Sequence, residues 1–279
     1  MLIIPPQVVR LAEMQKIGIL LVGHGTRNPA GQAEFRQLFA QFLQFLEPIA
    51  SELAFLELSE PSIEDAIASM ASKQIRRVLT VPAILFTAGH AESDIPGAVN
   101  KALSQHGMQS IGQTAALECS QEVLELSAAR FREAACDERC SNGCSNHFCS
   151  QASWVMVGRG SSSPTATDKT REFGRLRWRL TPTLTQQVAF IHGQQPTVKE
   201  ALDQLAASQS PIAVVQPHLL FSGLLMNQLS EQVVERQKQN PNQRWVLAPT
   251  LGADRKLAEL LANRAIHALE TLSTNPNSR

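Results

Sequence analysis

Residues 20–35, LLVGHGTRNPAGQAEF, and residues 155–170, VMVGRGSSSPTATDKT, are one passage written twice at an offset of 135 positions. Gly23 falls on Gly158 and His24 on Arg159. With the offset held, Pro61 of EPSIEDAI meets Pro196 of QPTVKEAL, Ile63 meets Val198 and Ala66 meets Ala201. Further on, VPAILFTAGH lies over QPHLLFSGLL, pairing Pro82 with Pro217, Leu85 with Leu220 and Phe86 with Phe221. AALE (115–118) meets PTLG (249–252) at an offset one smaller. Agreement at four separated anchors marks an internal duplication.

Each copy alternates apolar strand, loop and amphipathic helix. IGILLV is a short continuous apolar run of the kind buried on both faces of a parallel sheet, and it ends in a glycine loop. AEFRQLFAQFLQFL carries Phe35, Leu38, Phe39, Phe42, Leu43 and Phe45 at helical spacing. ELAFLEL, RRVLTVPAIL and MQSIGQTA read as the next strands, Pro61 opens the helix SIEDAIASMA, a third helix follows Asp94, and SQEVLELSAARFREA closes the copy. VMVGRG, QQVAFIH, IAVVQP and RWVLAP repeat the strands. Alternation of this kind requires crossover connections, so an α/β fold is expected: two homologous domains, each a four-stranded parallel sheet flanked by helices. The expected boundaries are 1–135 for the N-terminal domain, 136–151 for a Cys-rich linker and 152–279 for the C-terminal domain.

The composition removes several classes of function. The 279 residues hold 25 basic and 25 acidic side chains, so the basic excess of a phosphate-binding nucleic-acid partner is missing. Aromatics are 5% with no tyrosine, which disfavours stacking on single strands. The longest apolar stretches stop after six to nine residues, short of the roughly 18 that span a bilayer. The first residues lack a basic n-region and a small-residue cleavage site, so no nucleic-acid or membrane partner and a cytoplasmic location are expected.

In parallel α/β sheets, ligands bind at the C-terminal ends of the strands. That edge of the first copy carries His24 in GHGTR, Glu57 after the second strand, and His90 with Glu92 and Asp94 after the third. Neutral imidazole is a ligand for first-row divalent metals and accepts a proton near neutral pH. The second copy has Arg159 in place of His24, His192 in place of Glu57 and Leu225 in place of His90. A single site, built mainly by the first copy, is therefore expected.

On ILLVGHGTRNPAG, AFLELSEPSIEDAI and VPAILFTAGHAESDIP, in that order, the sequence resembles the small-tetrapyrrole chelatases of the CbiX type, the sirohydrochlorin cobaltochelatase and ferrochelatase group. The resemblance covers the first copy and, more weakly, the second, as in a long form with two fused domains. It implies the class II chelatase fold and ATP-independent insertion of Co²⁺ or Fe²⁺, as substrate metal, into sirohydrochlorin. The metal-site histidines would fall on His24 and His90, with Glu57 as the acidic residue beside them and all three as catalytic residues. Arg27 and Arg159 would meet the substrate's carboxylates. A fused duplication also predicts a monomer, since the second half replaces a dimer partner.

Two other readings remain. A metal or tetrapyrrole carrier would bind the same ligands without accelerating insertion. A histidine phosphatase would need an arginine before the nucleophilic histidine, and Gly23 stands there instead. Four of the five cysteines, Cys136, Cys140, Cys144 and Cys149, crowd the linker with His147 among them. Such density in a cytosolic chain suggests a Zn²⁺ or iron–sulfur site, although the spacing matches no standard pattern. Cys119 stands apart as an ordinary small residue.

Overall fold

The computed structural model describes residues 4–86, 90–135 and 151–274, and of residues 90–92 the backbone alone. Among these the chain runs α1 (Pro6–Met14), β1 (Ile17–Gly23), α2 (Pro29–Leu46), β2 (Ser51–Phe55), α3 (Ile63–Ser72), β3 (Arg77–Pro82), α4 (His90–Gln105), β4 (Gln109–Gln113) and α5 (Gln121–Ala135). It continues with β5 (Ala152–Gly158), α6 (Pro164–Leu180), β6 (Thr185–Phe190), α7 (Val198–Ala207), β7 (Ile212–Pro217), α8 (Leu224–Gln239), β8 (Arg244–Leu247) and α9 (Arg255–Thr274). The strands form two four-stranded sheets in the orders β2-β1-β3-β4 and β6-β5-β7-β8. Every pairing is parallel. The central strands β1 and β5 are buried at each position, which is why they read as unbroken apolar runs.

The duplication holds down to single hydrogen bonds. Gly23 pairs with Phe55 and Gly158 with Phe190 in the two ladders. Ser62 and Asp65 form a reciprocal capping box at the start of α3, and Thr197 and Glu200 form the same box on α7. Pro61, expected inside the first turn of α3, lies one residue before that cap, because Ser62 takes the N-cap position. Two further boundaries depart from the sequence reading. α1 forms in the N-terminal extension, with Val8 and Ala12 buried, and α4 begins at His90, ahead of Asp94.

The last helix of each copy is exchanged. The chain forms two compact units, Met1–Leu117 with Ala253–Arg279, and Glu118–Gly252. Thus α5, encoded at the end of the first copy, packs on α6, β7 and β8, whereas α9 packs on α1, α2 and β3. Each exchanged helix carries an arginine that grips the end of the sheet it joins. Arg264 on α9 donates to the carbonyls of Ala115, Ala116 and Leu117. Arg130 on α5, its counterpart at the offset of 134 seen in AALE and PTLG, donates to the carbonyls of Thr250 and Leu251. The sequence repeat and the compact units therefore differ by one helix each. Segment 136–150 is flanked by α5 and β5, elements of one and the same unit, whereas the crossings between units fall at 117/118 and 252/253.

Beneath the exchanged helices the two cores differ in kind. In the first unit Ile19, Phe42, Val81 and Leu261 are all fully buried. Trp154, Arg177, Gln216 and Ser127 hold the equivalent places in the second. The Trp154 indole N–H donates to Gln216 Oε1 (2.9 Å), and Gln216 Nε2 donates to the Ser127 carbonyl (2.7 Å) and hydroxyl (3.1 Å). Arg177 is wholly buried, with its guanidinium 4.9 Å from the ring centroids of both Phe131 and Trp154. It donates to Thr181 and to Gln216. A charge removed from water needs such partners, and here two aromatic faces and polar oxygens supply them. Arg177→Ala is expected to cost about 3 kcal/mol through lost packing and cation–π contact, read as a lower denaturant midpoint in urea.

His218 follows β7 where Ala83 follows β3, and its ring lies 4.1 Å from that of Phe173. Burial alone pushes its imidazole from 6.5 down to about 3. Between those values the unfolded chain binds a proton that the folded chain refuses. Stability is therefore expected to fall as pH drops from 6.5 towards 3, with a slope of at most about 1.4 kcal/mol per pH unit from this residue. His218→Leu should flatten that part of the pH–stability curve, measured by chemical unfolding at several pH values.

Candidate functional site

The site is built where β1 and β2 end. The parallel ladder continues beyond the strands, as Leu56 N–H donates to the Gly23 carbonyl (2.8 Å) and Glu57 N–H donates to the His24 carbonyl (3.0 Å). These bonds carry the two side chains out of the sheet together. Gly25 makes the turn at φ +98°, and a Cβ there would sit 1.8 Å from the Glu57 carbonyl oxygen. Only glycine satisfies both the backbone angle and the space. Gly23 is constrained from the other side, since a Cβ would come within 2.9 Å of the Phe35 ring.

The loop is then fastened. The Ser59 hydroxyl donates to the Thr26 carbonyl (2.7 Å) and accepts from the Thr26 N–H (3.0 Å), while Gln32 donates to the same carbonyl (2.8 Å). Asn28 caps α2 by accepting from the N–H groups of Ala30 and Gly31. Arg36 lies over the Phe55 ring and donates to the Glu60 carbonyl. Ser59 and Arg36 were not singled out from the sequence. For Arg36 a signal existed: Arg171 and Phe190 repeat Arg36 and Phe55 at the offset of 135, and Arg171 also lies over its phenylalanine.

Within this frame His24 Nδ1 lies 3.5 Å from Glu57 Oε1, with 41% and 54% of the two side chains exposed. At that separation the carboxylate stands beside the Nδ1 edge of the ring, and a neutral imidazole offers a lone pair on one nitrogen to a cation or a proton. Among the described residues, no third His, Cys, Asp or Glu joins this pair to form a metal-capable group. The His90 side chain lies outside the described residues, as do Cys136, Cys140, Cys144 and Cys149. Arg27 is exposed on the loop between β1 and α2, and Arg159 is exposed at the corresponding end of β5. Cys119 is half-buried beside Glu118, which pairs with Lys169 (2.9 Å); desolvation, then the nearby Glu118 charge, pushes its thiol up. A raised thiol is a poor nucleophile.

The sequence profile of the CbiX family matches residues 18–134 and again residues 153–268. The chain belongs to the CbiX family. Among its curated relatives, the sirohydrochlorin cobaltochelatase of Priestia megaterium is 26% identical over 257 residues, covering 90% of this chain and 80% of the relative. The sirohydrochlorin ferrochelatase of Bacillus subtilis is 27% identical over 227 residues, covering 81% of this chain and 83% of the relative. Among solved structures, SirB from Bacillus subtilis with Fe³⁺ matches at a TM-score of 0.75 with 26% identity, over 90% of this chain and 95% of that one. The sirohydrochlorin chelatase SirB from Bacillus subtilis subspecies spizizenii, in complex with cobalt, matches at a TM-score of 0.72 with 25% identity, over 91% and 96% of the two chains. The expected fold, two four-stranded parallel sheets flanked by helices, is thus the fold of this CbiX family member and of its structural relatives.

Gly25→Ala separates the loop from the residues it carries. The added methyl must displace the Glu57 carbonyl, so the His24–Glu57 pair should come apart. The expected result is a lower melting temperature together with weakened Co²⁺ binding by isothermal titration. Gly160→Ala, whose Cβ would meet the His192 carbonyl at 1.9 Å, should lower the melting temperature while leaving Co²⁺ binding intact.

Proposed function

We propose that this protein inserts Co²⁺ or Fe²⁺ into sirohydrochlorin without ATP, with His24, Glu57 and His90 as its catalytic residues. The observation that carries this reading is the His24–Glu57 pair at the C-terminal edge of the first sheet, in a chain whose relatives are sirohydrochlorin chelatases. No helix of the described residues is long and apolar enough to cross a membrane, and we place the reaction in the cytoplasm, carried out by a monomer.

Insertion strips water from a divalent cation and removes two pyrrole N–H protons. The site must therefore hold the metal weakly enough to release it and must accept protons. Neutral imidazole meets both demands, whereas thiolates would retain the ion. In this scheme His24 and His90 hold the incoming metal, and each, freed as the metal leaves, takes one of the two pyrrole protons. Glu57 accepts from protonated Nδ1 of His24, which keeps Nε2 directed at the metal and stabilises the imidazolium that forms. Arg27 and Arg159 meet carboxylates of the tetrapyrrole. A Zn²⁺ or iron–sulfur centre on Cys136, Cys140, Cys144 and Cys149 is a separate proposal, and no step of insertion passes through it.

The test is metallation of sirohydrochlorin by Co²⁺ and Fe²⁺, followed by absorbance against the spontaneous reaction. His24→Ala and His90→Ala should each reduce turnover by at least about a hundredfold, and Glu57→Gln by less, with unchanged circular dichroism. Binding of the tetrapyrrole without acceleration would make the protein a carrier, and near wild-type rates in both histidine variants would overturn the assignment.

A further inference from the structure

The turn that follows β2 recurs after β6, and one position in it is filled differently. The N–H groups of Leu56 and Glu57 donate to the carbonyls of Gly23 and His24, and those of Ile191 and His192 donate to the carbonyls of Gly158 and Arg159. The next residue turns left-handed in both copies. It is Leu58 at φ +63° in the first and Gly193 at φ +68° in the second. A Cβ makes this conformation costly, so glycine is the residue that the backbone favours there.

Leucine at that angle stands apart within the chain. Among the described residues, the other non-glycine residues at positive φ are Lys16, Gln74, Glu118 and Gln209, all of them polar. Lys16, Gln74 and Gln209 each follow the C-cap of a helix, where a left-handed residue closes the last turn. Leu58 lies between β2 and α3 and closes no helix. Nor does it fill the core: Leu56 packs against the cluster around Val22 and Ala54, whereas 47% of Leu58 is exposed. At Gly193 an added Cβ would meet no heavy atom within 4 Å beyond its chain neighbours, so this position of the turn leads into open space. In the first unit the turn is held on both sides of Leu58, by the Glu57 N–H and by the two bonds of the Ser59 hydroxyl to Thr26. The copy that carries His24 and Glu57 therefore keeps an apolar side chain in a strained, exposed place directly beside that pair. Backbone strain that the surroundings hold in place is a mark of a ligand-contacting residue.

The chemistry of the ligand supplies a reason. A flat conjugated macrocycle ringed by carboxylates has charged arms, which call for arginine, and apolar faces, which gain when a hydrocarbon side chain covers them. We infer that Leu58 is a substrate-binding residue, its side chain laid against one face of the tetrapyrrole beside His24, and that its left-handed backbone is retained for this contact. This rests on the sirohydrochlorin reading above, adds an apolar contact to it, and involves the first unit alone.

Steady-state Co²⁺ insertion at varied sirohydrochlorin concentration, paired with thermal unfolding, tests the inference. Leu58→Gly copies the second unit. It should raise KM for the tetrapyrrole about threefold to tenfold, the effect of covering half a leucine side chain. Its melting temperature should stay at or above that of wild type, because the angle suits glycine. Leu58→Asn, polar and tolerant of the same angle, should raise KM to the same extent, whereas Leu58→Met should keep it near wild type. The loss should fall on KM rather than kcat, with Co²⁺ binding by the metal alone unchanged and the Kd of metal-free sirohydrochlorin, read by fluorescence, following KM. Unchanged KM in the glycine and asparagine variants would overturn the inference and leave the chelatase reading standing. A melting temperature lowered by Leu58→Gly, with kcat falling alongside, would make Leu58 a packing residue and overturn it as well. A wild type that neither binds nor metallates sirohydrochlorin would remove the chelatase reading itself, and the contact with it.

Discussion

The hydrogen bond from Glu57 N–H to the His24 carbonyl is the constraint on which the site depends. It extends a parallel ladder past the last strand residues, into a region where chains normally diverge. Two consequences follow from that one bond. The side chains of adjacent positions leave the sheet edge side by side, and the intervening residue must be glycine because the opposing carbonyl fills the space of a Cβ. Ser59, Gln32 and the Asn28 cap then hold the loop from three directions, so the imidazole and the carboxylate need no contact of their own to be placed. Their 3.5 Å approach is a result of the backbone rather than its cause.

Duplication lets the two uses of this scaffold be compared within one chain. The bonds that define the turn recur at Arg159, Gly160 and His192 with nearly the same lengths, although the side chains differ in charge and in capacity to bind metal. The core has diverged just as far. Ile19, Phe42 and Val81 depend only on shape, whereas Trp154, Arg177 and Gln216 depend on directed donors and acceptors, with Ser127 on α5 completing the set. A polar cluster tolerates few substitutes. In the second unit the Ser127 hydroxyl on α5 gives Gln216 an acceptor that a leucine side chain, such as Leu261 on α9, does not offer.

Much of this was legible in the sequence, for physical reasons that can be stated. Buried central strands leave continuous apolar runs, so β1 and β7 could be read almost to the residue, whereas β5 was read as VMVGRG and begins three residues earlier, at Ala152, because Ser153 and Trp154 interrupt the aliphatic run. His24 and Glu57 were singled out because strand ends are where parallel sheets bind ligands, and the structure brings the two side chains to 3.5 Å of each other. What escaped has a different origin. Pro61 was read as part of α3, because a first-turn proline and a proline just before the N-cap look alike until Ser62 is seen accepting from Asp65 N–H. Arg177 sits among arginines on α6 at ordinary helical spacing, and nothing in that pattern distinguishes the one that is buried. The destination of α5 and α9 is decided by which surface covers their apolar faces, information that a repeat read along the chain does not contain.

The exchange of those two helices changes what the cysteine-bearing stretch can be. Because α5 and β5 belong to one unit, the crossings between units lie elsewhere than at residues 136–150, and a cut there would leave the two units joined. The pieces 1–135 and 151–279 would each retain a helix that belongs in the other's core, like two people who have each kept hold of the other's hand. A cut that separates the units must fall instead at both 117/118 and 252/253, the two places where Arg264 and Arg130 grip the backbone. The covalent joints between the units thus stand at 117/118 and 252/253, away from the place where one copy of the sequence gives way to the next.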